Sequence, residues 1–578
     1  MRVRAPLMIQ DPEISQMEVG RLVEDWTKID EDHYLDGPVT PRVAVVDLDP
    51  NTEALQPGAV FIPPEGRRKL GSYKVDRKRI YSGHFIQVSV FATVLRTMYM
   101  YEEQDTLGRR VAWGFDAPQL LVVPRAGWWA NAYYERRSHS LQFFSFRAGT
   151  KLIHTSLSRD IVAHETAHAL IDGIDPDLYD ALDPQSLALH EGVADLTAVL
   201  IAFRSGKLRR AVLDKTDGSI EKSTNFSSIG EQFGRAIDPS GQAGWLRNLL
   251  NEHKLDPNGD PADEPEEHQL SQVITGVLYR FLVELHTDYK RRLAARFGTT
   301  TFAVSGRALF GASEQFKRMI LRGLDYMPPG EITFADYGRA ILAADQASFV
   351  DDTWRRWLRE NFVLRGIVRK ESDLDVETNV AHAAIRDVDL QGLVDSDWVA
   401  YTFAEKNRKL LGIPHDAQFE VLPRIVVSKR FELGGEGLER AAAAAEDTAS
   451  DAAPDVPSAP LKELLFKVRW SQTEPNPRDL GGARTRRIQT GVTLVIDWDQ
   501  RLIRSLLGPL DLAGRRRARD TMLRRLVGRG LAQVSAPDDP DAVQQTLGTG
   551  IEAVVTDGIL RVRNTGRLLH VAKDAGDA

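Results

Sequence analysis

Two apolar stretches constrain this chain more than anything else in it. "DIVAHETAHALIDG" (residues 160–173) and "SLALHEGVADLTAVLIAF" (residues 186–203) both read as largely buried helices, yet each carries ionisable groups in its middle. Ser158 or Asp160 can cap the first, which should run from about Ile161 to Ile171 before Gly173 and Asp175-Pro176 stop it. Asp183-Pro184 supplies an N-cap and a first-turn proline for the second. The buried polar residues are either satisfied core groups or parts of one site.

Spacing favours one site. His164 and His168 are four apart, so on a helix both imidazoles share a face, one turn apart. Zinc accepts imidazole nitrogens readily, and His-Glu-x-x-His is the zinc-peptidase pattern. Glu165 falls about 100° round the helix from His164, beside a metal rather than on it, where a base for a metal-activated water belongs. A metzincin-type third ligand is excluded, because Ile171 and Ile174 stand where that pattern needs Gly and His. On the second helix Glu191 and Asp195 are four apart on one face. Glu191 can complete a two-His, one-carboxylate site with an open position, and Asp195 can accept the second N–H of a ligand histidine.

Composition limits the alternatives. The chain of 578 residues contains no cysteine, which removes thiolate ligands, disulfides and a cysteine nucleophile. A net charge of −8 gives no bulk attraction to nucleic acid. No leader-like h-region opens "MRVRAPLMIQDPEISQ", and no run reads as a membrane span, so a cytoplasmic location is expected. Residues 38–63 read as short strands, 85–104 as a long helix, 119–124 and 141–146 as strands, 214–265 as loops, and 266–364 as helices again. Residues 434–460, "GGEGLERAAAAAEDTASDAAPDVPSAP", read as a flexible linker. Beyond it, 461–578 reads as a small α+β accessory domain around the Arg-rich helix "GRRRARDTMLRRLVGRG", taken as solvated.

With these residues in place, the chain resembles the thermolysin-like branch of the gluzincin metallopeptidases over roughly residues 40–365. The resemblance implies an α+β fold of two lobes: a β-rich N-terminal lobe, residues 1–170, ending in the zinc helix at the lobe junction, and a helical lobe, residues 171–370. Residues 371–433 are an extension without a parallel. The resemblance assigns His164, His168 and Glu191 as ligands of one zinc per chain, Glu165 as base and Asp195 as the aspartate that supports a ligand histidine. "NAYY" resembles the family's edge strand, so Asn131 and Ala132 would hold an extended substrate. Tyr179 would help hold the oxyanion. "EEHQLSQVITGVLY" supplies His268 as the transition-state histidine with Asp263 to orient it, and "GRAIDP" supplies Arg235 for a substrate carbonyl. "ADYGRAILAADQA" resembles the family's C-terminal helices.

There are departures. His190 stands where an asparagine is usual, and can either support a ligand or compete for metal. Asp160 matches a calcium ligand, but "LTAVLIAFRSGKLRR" lacks the acids that a calcium cluster needs, so calcium is not expected. The implied activity is zinc-dependent endopeptidase action on a protein or peptide substrate, with bulky apolar residues after the cut. The other reading is a catalytically silent zinc scaffold or regulatory module that acts on a protein partner through 461–578. Retention of Glu165 weighs against it, because a scaffold needs the ligands but not the base. No membrane or nucleic-acid partner is expected under either.

Overall fold

The computed structural model describes residues 1–12, 23–222, 227–230, 234, 247–255, 267–348, 352–431, 459–480, 483–510, 514–528, 551–556 and 559–564. The chain is a mixed α and β structure. Its N-terminal part holds two small sheets. β1 (Arg2–Met8), β2 (Val23–Asp30), β4 (Phe61–Ile62) and β5 (Gly71–Tyr73) form one, in the order β2-β1-β5-β4. β3 (Val43–Val45), β6 (Leu120–Val123), β7 (Ala132–Glu135) and β8 (Ser140–Phe143) form the other, in the order β3-β6-β8-β7. Among the described residues β7 pairs only with β8, antiparallel, so it stands at the edge of this sheet. A hairpin of β9 (Ser145–Ala148) and β10 (Lys151–His154) follows. Helix α1 (Gly83–Glu102) packs on β1 and on the next helix, its start fixed by Ser82, whose side chain accepts from Phe85 N.

Helices dominate from residue 159. α2 (Arg159–Ile174) is capped by Ser158, whose hydroxyl accepts from Ile161 N. It ends at Ile174, before the expected Asp175-Pro176 stop and one residue past Gly173. A Cβ there would lie 1.9 Å from Ala112 O, so this glycine serves close packing rather than termination. After α3 (Pro176–Tyr179), α4 (Pro184–Phe203) is capped by Asp183, with Pro184 in its first turn. α4 is long and apolar enough to cross a membrane by length and composition, but that window is 100% buried inside the protein. It is the central helix of a bundle with α2, α6 (Glu267–Phe297), α7 (Ser305–Tyr326) and α8 (Phe334–Ser348), flanked by α5 (Gly206–Lys215) and α9 (Thr353–Leu364). β11 (Ser228–Ile229) and β12 (Arg247–Asn248) form a two-stranded ladder in the stretch read as loops.

The structure joins regions that the sequence divided. β13 (Thr378–Val380), β14 (Phe419–Val421) and β15 (Ile425–Phe431) come from the extension. They share one sheet with β16 (Ala459–Pro475), β17 (Thr485–Asp497), β18 (Leu502–Leu507), β19 (Ile551–Thr556) and β20 (Ile559–Asn564). α10 (Ala383–Arg386), α11 (Leu390–Asp395), α12 (Asp397–Lys406) and α13 (Arg408–Leu411) cover one face, where Ile385, Leu393 and Phe403 pack on Phe466, Leu494 and Ile503. The described residues of 371–431 and 459–564 are therefore one module, joined in one sheet and one apolar cluster. Most of the expected linker, residues 434–458, lies outside the described residues.

This module is docked on the helical lobe, against the expectation of a domain tethered at a distance. Leu465, Val495 and Leu507 enter the main core, and Thr493 Oγ1 donates to Met327 O at 2.6 Å. The Arg-rich helix α14 (Arg515–Gly528) is solvated on one face only, where Arg516, Arg517 and Arg524 are exposed; on the other, Arg519 is 6% exposed and ion-paired. Gly330 marks the tightest approach: with φ +99°, its Cβ would lie 2.4 Å from Gln489 O of β17. Gly330→Ala should therefore lower stability by about 2–3 kcal/mol in denaturant unfolding. An unchanged midpoint would contradict the docking.

Two histidines outside the donor cluster are held neutral. Burial, with help from Lys290, lowers His286 to about 3, and its Nε2 lies 3.2 Å from Ser305 O. Burial and Arg125 lower His154 to about 4. Unfolding returns each to the ordinary value near 6.5, so the unfolded chain binds more protons below that pH. Their contribution is complete above about pH 6.5 and is lost as pH falls toward 4 and then 3. The apparent Tm should drop over that window, and His286→Gln should shallow the slope.

Candidate metal centre

α2 and α4 pack against each other over the stretches that carry the ionisable residues. Two nitrogens and a carboxylate converge between them. His164 Nε2 and His168 Nε2 are 3.0 Å apart, and Glu191 lies 3.5 Å from the first and 3.4 Å from the second. Zinc bonds of about 2.0–2.1 Å in tetrahedral array place donor atoms about 3.3 Å apart. The three donors are all buried and lie within 4.8 Å of one another. Charge points the same way. Among the described residues, Glu165, Glu191 and Asp195 face the guanidinium of Arg247, an excess of two negative charges when all are ionised, which a divalent cation would balance.

Supporting groups complete the cluster. Asp195 Oδ1 lies 3.0 Å from His164 Nδ1, the geometry that leaves His164 Nε2 as the donor atom. His190 resolves the alternatives left by the sequence. Its Nδ1 is 2.6 Å from His168 Nδ1, and the rings stack at 4.8 Å, so it supports His168 from behind and does not join the donor set. Burial, then the neighbouring His168, holds His190 well below the ordinary histidine pKa and so neutral. With a metal on His168 Nε2, the proton on its Nδ1 donates to His190 Nδ1.

Glu165 lies beside the donors, and Tyr134 N of β7 donates to its Oε2 at 3.1 Å. Burial and the charge of Glu191 push its carboxyl well above the ordinary value, against the opposing pull of Arg247 and the Tyr134 amide. Burial opposes ionisation of Asp195, but Arg247 and His164 outweigh it and hold that carboxyl low.

Arg247 is the residue that sequence reasoning missed. It stands on β12, donates to Asp195 Oδ1 at 2.7 Å, and lies 3.6 Å from Glu191 and 3.4 Å from His164. The available signal was a cation flanked by apolar residues in "GWLRNLL". Arg235, expected near a substrate carbonyl, lies outside the described residues, as does Asp263. His268 falls in the first turn of α6.

The substrate-edge residues are placed as follows. Asn131 immediately precedes β7 and accepts Ala132 N on its Oδ1 at 2.8 Å. The ladder alternates, so Ala132 and Tyr134 turn their main-chain groups away from β8. The Tyr134 carbonyl on that side accepts from Tyr179 Oη at 3.5 Å. Tyr179 is fully buried, with Arg136 over its ring at 4.5 Å. Its hydroxyl is thus directed at the strand, not at the donor cluster. Asp160 is ion-paired with Arg159.

No model of a known protein family matches the chain, and no curated protein matches it.

His190→Ala should weaken zinc binding by about 10–100-fold through loss of support for His168. Chelator competition measures this, and an unchanged affinity would remove His190 from the site.

Proposed function

We propose that the chain is a zinc-dependent endopeptidase resembling the thermolysin-like gluzincins. The observation that carries this reading is the position of Glu165. It adjoins a buried two-imidazole, one-carboxylate donor set and is anchored to the main chain of an edge strand. His164, His168 and Glu191 would hold the ion, and a zinc ion there supplies Lewis acidity toward a water and a carbonyl. The remaining chemistry belongs to the protein.

Glu165 has one oxygen fixed by the Tyr134 amide, which leaves the carboxylate oriented to take a proton from the attacking water. Its raised proton affinity in the buried site suits that task, and the same carboxyl then delivers the proton to the leaving amine. No strand lies on the outer side of β7 among the described residues, and the outward carbonyl of Ala132 with the Asn131 side chain would receive the backbone of an extended peptide. Internal binding along a strand suits an endopeptidase. Trp128 and Trp129, exposed just before β7, offer apolar surface to the same peptide. Arg247 keeps Asp195 ionised and thereby keeps His164 oriented. Tyr179 meets an oxyanion only after releasing Tyr134 O, so its assistance requires a side-chain movement.

The scaffold reading differs in one outcome. It predicts zinc binding with no cleavage, and it gives Glu165 no task.

Digestion of a peptide library with zinc-loaded wild type and Glu165→Gln separates the two. Wild type should cut internal bonds, and the variant should cut them at least about 100-fold more slowly while keeping its zinc. If wild type cuts nothing that the variant spares, the peptidase reading is wrong.

A further inference from the structure

The two helices that carry the donors are joined by residues 175–183, and the C-terminal module grips this connection at both ends. At the α2 end, Asp177 pairs with Arg469 of β16 at 2.7 Å, and the buried Asp175 that caps α2 faces Lys467 of the same strand. At the α4 end, Asp183 has two tasks. Its Oδ1 caps α4 by accepting from Gln185 N at 3.0 Å, and its Oδ2 receives Arg515 at 3.0 Å and Arg519 at 3.4 Å from α14. Arg519 also pairs with Glu331 at 3.2 Å, and the other oxygen of Glu331 accepts from Leu182 N at 2.7 Å. Ala181, Leu182 and Leu187 pack on Met522 and Leu526 of α14.

We infer that Arg515, Arg519 and Arg469 are positioning residues for the metal centre: by holding the α2–α4 connection, the C-terminal module sets Glu191 against His164 and His168. This rests on the zinc reading above. The lever is short. Glu191 lies eight residues beyond Asp183, about 12 Å along the helix. A tilt of about 5° at the capped end moves Glu191 by about 1 Å over that length, several times the roughly 0.2 Å tolerance of a metal–ligand bond. The grip is also built to be firm, because Asp183 is 2% exposed and Arg519 6% exposed, and removing both arginines takes away the two cations that face the buried Asp183 carboxylate.

The test uses the full chain in four forms: wild type, the double variant Arg515→Met with Arg519→Met, Arg469→Gln, and the control Arg355→Met. The control breaks the Arg355–Asp345 pair, 2.7 Å long and similarly buried, which joins α8 to α9. Zinc affinity is read by chelator competition, and cobalt(II) substituted for zinc reports coordination through its visible absorption bands. The expected result is at least a tenfold loss of zinc affinity with shifted cobalt bands in both grip variants. The control should lower Tm but keep affinity within about twofold and keep the wild-type spectrum. Wild-type affinity and spectrum in either folded grip variant overturn the inference, as does an equal loss in the control, which would mark a general stability effect. If the double variant does not fold, Arg469→Gln alone decides by the same two outcomes. Failure of wild type itself to bind zinc refutes the underlying metal reading, and is distinguishable because no comparison between variants is then needed.

Discussion

The protein is organised around the burial of three carboxylates and three imidazoles between two helices. A single unpaired charge in such a place is costly, and breaking a buried pair typically costs 3–5 kcal/mol. Here each group is assigned a neighbour. Asp195 holds His164 and Arg247, His190 holds His168, and the Tyr134 amide holds Glu165. His164, His168 and Glu191 turn toward one another at distances that suit a shared cation. The edge strand supplies the Tyr134 amide to this cluster and β12 supplies Arg247, while the packing of α2 on α4 brings the rest together.

The second constraint is the short connection between those helices. Residues 175–183 turn the chain round, cap α4 and present Tyr179, and acids at both ends of the connection meet basic residues of the C-terminal module. The module is therefore a structural neighbour of the site rather than a remote appendage. Its sheet draws strands from both sides of residues 432–458, so the final 118 residues, read from sequence as a separate accessory domain, share their sheet with the extension.

Much of the donor cluster was legible because helical periodicity is local. A four-residue spacing puts His164 beside His168 and Glu191 beside Asp195 whatever the rest of the chain does. Asp183-Pro184 marked the start of α4 for the same reason. What failed depended on contacts distant in sequence. Gly173 read only as part of a helix stop, and its close contact with Ala112 O was not legible. Arg247 lay in a stretch read as loop, and only its pairing with Asp195, 52 residues away, shows its place. Arg515 and Arg519 looked like a solvated basic face because their acids, Asp183 and Glu331, stand more than 180 residues earlier. Tyr179 was identified by spacing, yet spacing does not reveal that its hydroxyl serves the Tyr134 carbonyl.

The account stands on whether the two helices hold one zinc through His164, His168 and Glu191. X-ray absorption at the zinc edge of the full chain measures this most directly. The prediction is near one zinc per chain, four light-atom ligands at about 2.0–2.1 Å, and the outer-shell pattern of two imidazoles. Glu191→Ala should remove one oxygen from that shell or lose the metal. Substoichiometric zinc, or a six-oxygen shell without imidazole, would contradict the central claim.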